Sequence, residues 1–296
     1  MAERVRVAAH AKVNLFLRIL ARESDGYHQI ETAFALLELA DELVVSRTAS
    51  GVELDVDGPD LGPAEENLAA RAATAVLQAT GNRFGVRIQL TKRIPVRAGL
   101  GGGSSDAAAA LHAVNALAGG SIPRHELLQF AGRLGADVPF FAGGAPLALG
   151  WGRGQRLYRL APLPAAPVLV AVPPVAVSTP DAYRWWDEAH RDNASRGPVV
   201  LDAETLGSWG SLGRLAGNDF ELPVFGRHAE IRALFERLAG TRPLWVRLCG
   251  SGSAVAAVYR TEGDRHDAAA QIGKKGHTLL PTATRAQAAP APTIAD

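Results

Sequence analysis

A lysine and an asparagine stand two residues apart in the apolar string Ala11-Lys12-Val13-Asn14-Leu15-Phe16-Leu17. Residues two apart on a strand share a face, so Lys12 and Asn14 would project together from a largely buried segment. A buried ammonium needs a partner or a ligand. The competing reading is an exposed strand edge, with the lysine stem covered and its head in water. A candidate partner lies in Gly135-Ala136-Asp137-Val138-Pro139-Phe140-Phe141. Alone, Asp137 would read as a helix N-cap or turn aspartate. Beside Lys12 in a shielded pocket, it could accept or orient a hydroxyl proton. The lysine would then keep the carboxylate ionised and offset charge on a transferring phosphoryl group.

The phosphoryl chemistry has a second source in the sequence. Pro95-Val96-Arg97-Ala98-Gly99-Leu100-Gly101-Gly102-Gly103-Ser104-Ser105 precedes an Ala/Leu helix expected to start near Asp106 and end near Ala118. The clustered glycines let a ligand approach the backbone. The helix N-terminus that follows offers unpaired N–H groups and partial positive charge, a site for phosphate. The string is neither a Walker loop nor a dinucleotide-binding fingerprint. A flexible turn with a serine helix cap is the alternative. Tyr27 and His28 follow the turn Asp25-Gly26 and could stack on and hydrogen-bond a ring, or simply pack on the core. Gly250-Ser251-Gly252-Ser253 reads as a tight turn between strands, and Gly150 to Gly154 is a weaker glycine cluster.

These groups need elements to hold them. Residues 4–20 read as a strand pair or a bent strand, and further strand-like text covers 30–48, 52–56 and 85–90. An Ala-rich helix is expected over 67–80, capped by Asn67 and stopped by Gly81. Another is expected over 123–134. Prolines 162, 164 and 167 mark a connection, after which Val168 to Val172 opens a second half. Residues 187–217 read as a polar surface excursion, 221–238 as one or two helices, and 245–248 and 254–259 as strands. The Ala/Pro/Thr-rich stretch after Pro281 is expected to be disordered. Strands and helices mix without a βαβ rhythm, which makes the fold α+β.

The chain has 296 residues, a formal net charge of +1 and 47% hydrophobic residues. That excludes a disordered chain and argues against a broad nucleic-acid surface. The single cysteine, Cys249, excludes an intrachain disulfide and a cysteine-built zinc site. The longest apolar run, Ala165 to Val177, is broken by three prolines and is too short for a membrane helix. With no signal-peptide pattern, a cytoplasmic protein, monomeric or weakly dimeric, is expected. Of the 31 basic residues only four are lysines: Lys12, Lys92, Lys274 and Lys275. The last three read as ordinary surface charges.

Pro95 to Ser105 resembles the P-x-x-x-G-L-x-x-x-S-S signature of the GHMP small-molecule kinase superfamily. Ala11 to Leu17, Asp25-Gly26-Tyr27-His28, Gly99 to Ala108 and Gly135 to Phe140 are together similar to its branch acting on a cytidine diphosphate-linked methylerythritol. Asn218-Asp219-Phe220-Glu221 and Leu248 to Ser253 follow in the expected order. The resemblance implies two α+β domains with the active site in the cleft between them. Residues 1–160 would form the N-terminal ATP-binding and catalytic domain, 161–280 the C-terminal domain and 281–296 a disordered tail. It implies transfer of the γ-phosphoryl of ATP, with Mg²⁺, to a substrate hydroxyl in the non-mevalonate isoprenoid precursor pathway. Lys12 and Asp137 would be catalytic, and Pro95 through Ser105 would bind ATP. Asn14, Tyr27, His28, Thr179 and Tyr183 would bind substrate, with Tyr27 and Tyr183 sandwiching the cytosine. No direct protein ligand to the metal is implied. The alternatives are a homoserine- or mevalonate-type kinase, or a non-catalytic nucleotide-binding relative. Cys249 departs from the Thr or Ser common at its position, and 187–217 matches no part of the pattern.

Overall fold

The computed structural model describes residues 3–190, 202–215, 217–273 and 275–294. The chain opens with two long antiparallel strands, β1 (Arg4–Arg22) and β2 (His28–Thr48). The segment expected as a strand pair or bent strand is one strand, β1. Its register against β2 shifts between His10 and Lys12, Asn14 and Phe16, and Ile19 and Ala21. Then follow β3 (Val52–Asp57), α1 (Leu68–Ala79), β4 (Gly85–Thr91), α2 (Gly102–Leu117), α3 (Arg124–Leu134), α4 (Val138–Gly143), β5 (Leu147–Gly152) and β6 (Arg156–Arg159). The second half holds β7 (Pro167–Val172), α5 (Thr179–Ala189), α6 (Ala203–Leu206), α7 (Trp209–Leu215), α8 (Glu221–Phe225), α9 (Ala229–Gly240), β8 (Trp245–Leu248), β9 (Val255–Val258), α10 (Glu262–Ile272), β10 (Thr278–Ala283) and β11 (Thr293–Ile294).

The first sheet runs β11-β1-β2-β4-β3, with β5 on the free stretch of β2 and β6 on β5. The second runs β10-β7-β9-β8 and is antiparallel throughout. α1 and α2 pack on the first sheet through small residues. Ala72 and Ala73 of α1 and Ala107, Ala110 and Ala113 of α2 are fully buried with Val86 and Ile88 of β4. Alanine costs no side-chain entropy in a helix and lets helices approach closely. Asn67 caps α1 by accepting from Ala69 N–H at 2.9 Å. The second sheet buries one face against β1 and β2 and the other against α5, α8, α9 and α10.

β1 and β2 therefore serve every core, and the β1 register shifts decide which face meets which. Before the first shift Val5, Val7 and Ala9 face the helices of the first half. After it Ala11, Val13 and Leu15 face the second sheet, where Trp245 donates to the Leu15 carbonyl at 2.8 Å. One unpaired residue exchanges the two faces of a strand. Lys12 and Asn14 are thereby turned toward the side carrying α2 and α4.

Three expectations need correction. α2 begins at Gly102, not near Asp106, so the glycines supply the helix's first turn. Residues 187–217 are not simply a surface excursion: α5 runs through Ala189, and Trp209 and Leu212 are buried. Residues 191–201 and 216 lie outside the described residues. The tail expected to be disordered is ordered over its described part. β10 continues to Ala283, Arg285 N–H donates to the Leu36 carbonyl at 2.9 Å, and β11 pairs with β1. Composition hid this, because Thr282 and Thr284 are buried and bond the backbones of Leu39 and Ala166.

Deleting residues 285–296 is expected to cost about 1–2 kcal/mol and lower Tm by about 2–6 °C. A thermal melt of the truncated chain checks this, and an unchanged Tm would mean the tail does not dock.

Candidate active site

A cleft of about 1770 Å³ opens between β1, the glycine loop and the α3–α4 connection on one side and α5 on the other, bordered by Lys12, Gly99, Gly101, Ser104 and Asp137 and by Tyr27, His28, Thr179 and Tyr183. A pocket for one small ligand measures roughly 300–1,000 Å³, so this cleft has room for two.

At its floor the Lys12 side chain is 5% exposed. Its ammonium donates to Asn14 Oδ1 at 2.6 Å and lies 3.4 Å from Asp137 Oδ2. It also stands over the Phe34 ring, 5.5 Å from the centroid. Removing an ammonium from water costs several kcal/mol unless charge and hydrogen bonds replace the hydration. Asn14 and Asp137 supply both. Asn14 is fixed in turn, donating to Thr32 Oγ1 at 2.9 Å, and Thr32 donates to the Phe16 carbonyl at 2.5 Å. The snorkelling reading of Lys12 is therefore replaced by a buried, paired one. Asp137 does occupy the N-cap position of α4, but its side chain caps nothing. Pro139 removes one N–H that a cap would have served, and the carboxylate turns to Lys12 instead.

The loop over 95–105 is held from below and from the second half. Lys12 N–H donates to the Leu100 carbonyl at 3.0 Å, and Ala254 N–H to the Ala98 carbonyl at 3.2 Å. Gly99 has φ +78°, and a Cβ there would stand 1.7 Å from the Cys249 carbonyl oxygen. No side chain fits. Gly101, at φ +73°, is the N-cap of α2, and its Cβ would meet Phe141 and Lys12. Gly99, Gly101 and Ser104 border the cleft, whereas Pro95 to Ala98, Leu100, Gly102 and Gly103 do not. Ser105 is buried and borders a separate small cavity behind α2. Asn218 explains the string at 218–221: its amide donates to the Leu248 and Gly250 carbonyls at 2.9 and 2.6 Å, fixing the loop that receives Gly99. Cys249 meets the loop through its backbone carbonyl. Burial pushes its thiol up to about 12, against the Lys12 charge, which acts to lower it.

At the far end His28 Nε2 lies 2.7 Å from Asp187 Oδ1, and its ring stacks on Tyr183 with centroids 4.5 Å apart. Burial, then the charge of Asp137, raises the Tyr183 phenol above its ordinary range, so it stays protonated. Tyr27 is exposed, with the Arg153 guanidinium 3.8 Å over its ring. Arg153 is itself held by Glu23 and Asp25. Tyr27 and Tyr183 thus share the cleft, but each already has a ring or cation on one face. Thr179 Oγ1 is 2.9 Å from Ser251 Oγ, joining α5 to the Gly-Ser loop. Asp187, Arg153 and Ser251 were not singled out as site residues from the sequence. Asp187 sat in a stretch without a motif, and Arg153 in a weak glycine cluster.

Residues 67–145 match the GHMP kinases N terminal domain and 201–278 the GHMP kinases C terminal domain. The fold and the cleft thus have the class of a GHMP kinase, which uses ATP. A 4-diphosphocytidyl-2-C-methyl-D-erythritol kinase of Moorella thermoacetica is 40% identical, over 84% of this chain and 88% of the relative. One from Anaeromyxobacter sp. is 41% identical, over 91% and 85%. A crystal structure of 4-(cytidine 5'-diphospho)-2C-methyl-D-erythritol kinase superposes with TM-score 0.80 at 38% identity, covering 94% of this chain and 98% of that one. The chain belongs to the 4-diphosphocytidyl-2-C-methyl-D-erythritol kinase family. A homoserine kinase from Cytophaga hutchinsonii, at 18% identity and TM-score 0.68, shares the fold.

The buried thiol gives a test of how tightly the two loops dock. At pH 8, a Cys249 pushed up to about 12 has almost no thiolate, the reactive form. A chromogenic disulfide reagent is expected to label no thiol in the native protein and one in denaturant. Rapid native labelling would mean the loops part readily.

Proposed function

We propose that this chain transfers the γ-phosphoryl of ATP to the 2-hydroxyl of 4-diphosphocytidyl-2-C-methyl-D-erythritol, in the cytoplasmic non-mevalonate route to isoprenoid precursors. The observation that carries the reading is the Lys12 ammonium 3.4 Å from Asp137, in one cleft with the glycine loop and the Tyr27–His28–Tyr183 group. Residues 1–160 contribute the nucleotide loop and both reacting side chains, and 161–280 close the cleft. The protein would act as a monomer or weak homodimer.

Asp137 takes or orients the proton of the acceptor hydroxyl. Lys12, 3.4 Å from that carboxylate, pairs with it and faces the charge that builds on the transferring group. The free N–H groups at the start of α2 and the hydroxyl of Ser104 hold the triphosphate. A loose phosphoryl-transfer transition state asks mainly for positioning and charge stabilisation, which a fixed ammonium supplies. Mg²⁺ binds largely through phosphate oxygens and water, so one or two hard oxygen donors suffice. Asp137 and Ser104 on the cleft wall would hold it through its water shell, in keeping with the absence of a direct protein ligand. When bound, the ion would offset charge that develops on the phosphates during transfer. Tyr27 offers a ring face to the cytosine, and His28, oriented by Asp187, a ring nitrogen or N–H to its edge. Asn14 and Thr179 line the same cleft and would contact the acceptor alcohol.

An ATP-consumption assay over a panel of alcohols tests the reading. Turnover is expected with the cytidylated methylerythritol and not with homoserine or mevalonate; the reverse would overturn the substrate while leaving the class. Asp137→Asn is expected to lower kcat by about 10²–10⁴-fold with ATP binding retained. Tyr27→Ala is expected to raise the KM of the cytidylated substrate by about 5–100-fold, the equivalent of about 1–3 kcal/mol of stacking. An unchanged KM would remove Tyr27 from recognition.

A further inference from the structure

Lys92 contradicts its reading as a surface charge. Its side chain is 3% exposed, and its ammonium donates to Asp41 Oδ2 and, at 2.7 Å, to Asp106 Oδ2. The two carboxylates are 0% and 3% exposed. Burial of so many charges is costly unless each is paired, so their position calls for a reason. The other oxygen of Asp41 accepts N–H bonds from Arg93 at 2.5 Å and Ile94 at 2.8 Å. Arg93 and Ile94 lead directly into Pro95, where the loop begins. Asp106 lies in α2 just after Ser105, where the loop ends. One buried cluster therefore grips both ends of the segment 95–105. Its ammonium also lies directly against the first turn of α2: a Cβ on Gly102 would stand 3.3 Å from Lys92 Nζ.

We propose that Lys92, through Asp41 and Asp106, is a positioning residue of the nucleotide site that sets the geometry of the phosphate-binding N-terminus of α2. It does not border the cleft and touches no substrate. Instead it fixes the distance between the two ends of a glycine-rich segment that has little stiffness of its own. The loop's free N–H groups are then aimed before the triphosphate arrives, so ordering them costs no binding energy. The inference rests on the reading of 95–105 as the ATP loop.

The state of Asp106 shows how to test it. Its Oδ1 is buried with no hydrogen-bond partner among the described residues. Asparagine has nearly the same shape as aspartate and can keep the bond to Lys92 without the charge. Asp106→Asn keeps the volume and an oxygen that accepts from Lys92. Asp106→Ala cuts the tie.

ATP binding to wild type and both variants should be measured by calorimetry without the acceptor alcohol, followed by steady-state kinetics. Asp106→Ala is expected to weaken ATP binding and raise its KM by about tenfold or more, the effect of losing a charge-assisted hydrogen bond. Its kcat and the acceptor KM should stay within about threefold. Asp106→Asn is expected to restore ATP affinity to within about threefold of wild type. A merely structural role would lower Tm without separating the two KM values. If wild type binds ATP and Asp106→Ala binds it equally well, the inference fails and the kinase reading stands. Equal changes in both KM values would also overturn it. If Asp106→Ala fails to fold, Asp106→Asn decides alone, and a tenfold loss of ATP affinity there overturns the inference. A wild-type protein that binds no ATP overturns the loop reading and the inference with it.

Discussion

The cleft depends on one buried ammonium finding partners in place of water. Lys12 sits on the strand that serves every core of the molecule, at a point where a register shift exchanges the strand's faces. Without that shift the side chain would point at the second sheet, away from Asp137 and the loop. With it, the lysine enters an apolar surround where Asn14 and Asp137 replace water. This demand explains the neighbouring arrangements. Asn14 is itself locked by Thr32, and Asp137 leaves the N-cap role open to Pro139's compensation. Gly101 keeps clear the space that the lysine stem occupies.

A second constraint is the approach of two loops from opposite halves. Gly99 meets the Cys249 carbonyl so closely that any side chain would separate them. Asn218 and Glu221 prepare the receiving loop, through bonds to the Leu248 and Gly250 carbonyls and to Leu248 N–H. The glycine segment 95–105 is thus gripped at both ends from beneath by charged groups and in its middle by the second half. A net charge of +1 across the chain is no obstacle to holding a triphosphate. In the proposed function the helix N-terminus and one buried lysine would act locally, where nearby charges count for more than the total.

Much of this was legible in the sequence because the informative residues break local rules. A lysine and an asparagine inside an apolar strand, and an aspartate among Val, Pro and Phe, are conflicts that only a tertiary partner resolves. The glycine segment was legible for the same reason, although the helix start was misplaced: glycine's poor helix propensity hid the fact that Gly102 and Gly103 form the first turn. What stayed hidden was pairing over long separations. Lys92 beside Arg93 looks like any basic dipeptide, and nothing local points to Asp41 or Asp106. Asp187 lies 159 positions from the His28 it orients. The tail looked disordered because its composition is poor in large apolar residues, yet backbone pairing with β1 and two buried threonine hydroxyls hold it.

The central claim is that Lys12 and Asp137 act as one unit, each having its effect only through the other. The most direct test is a double-mutant cycle on kcat for phosphoryl transfer, using Lys12→Met, Asp137→Asn and the combined variant. Groups that work as a unit give strongly non-additive losses. The double variant is expected to fall within about threefold of the poorer single variant. Losses that multiply would mean that the ammonium and the carboxylate contribute separately, and would contradict the account.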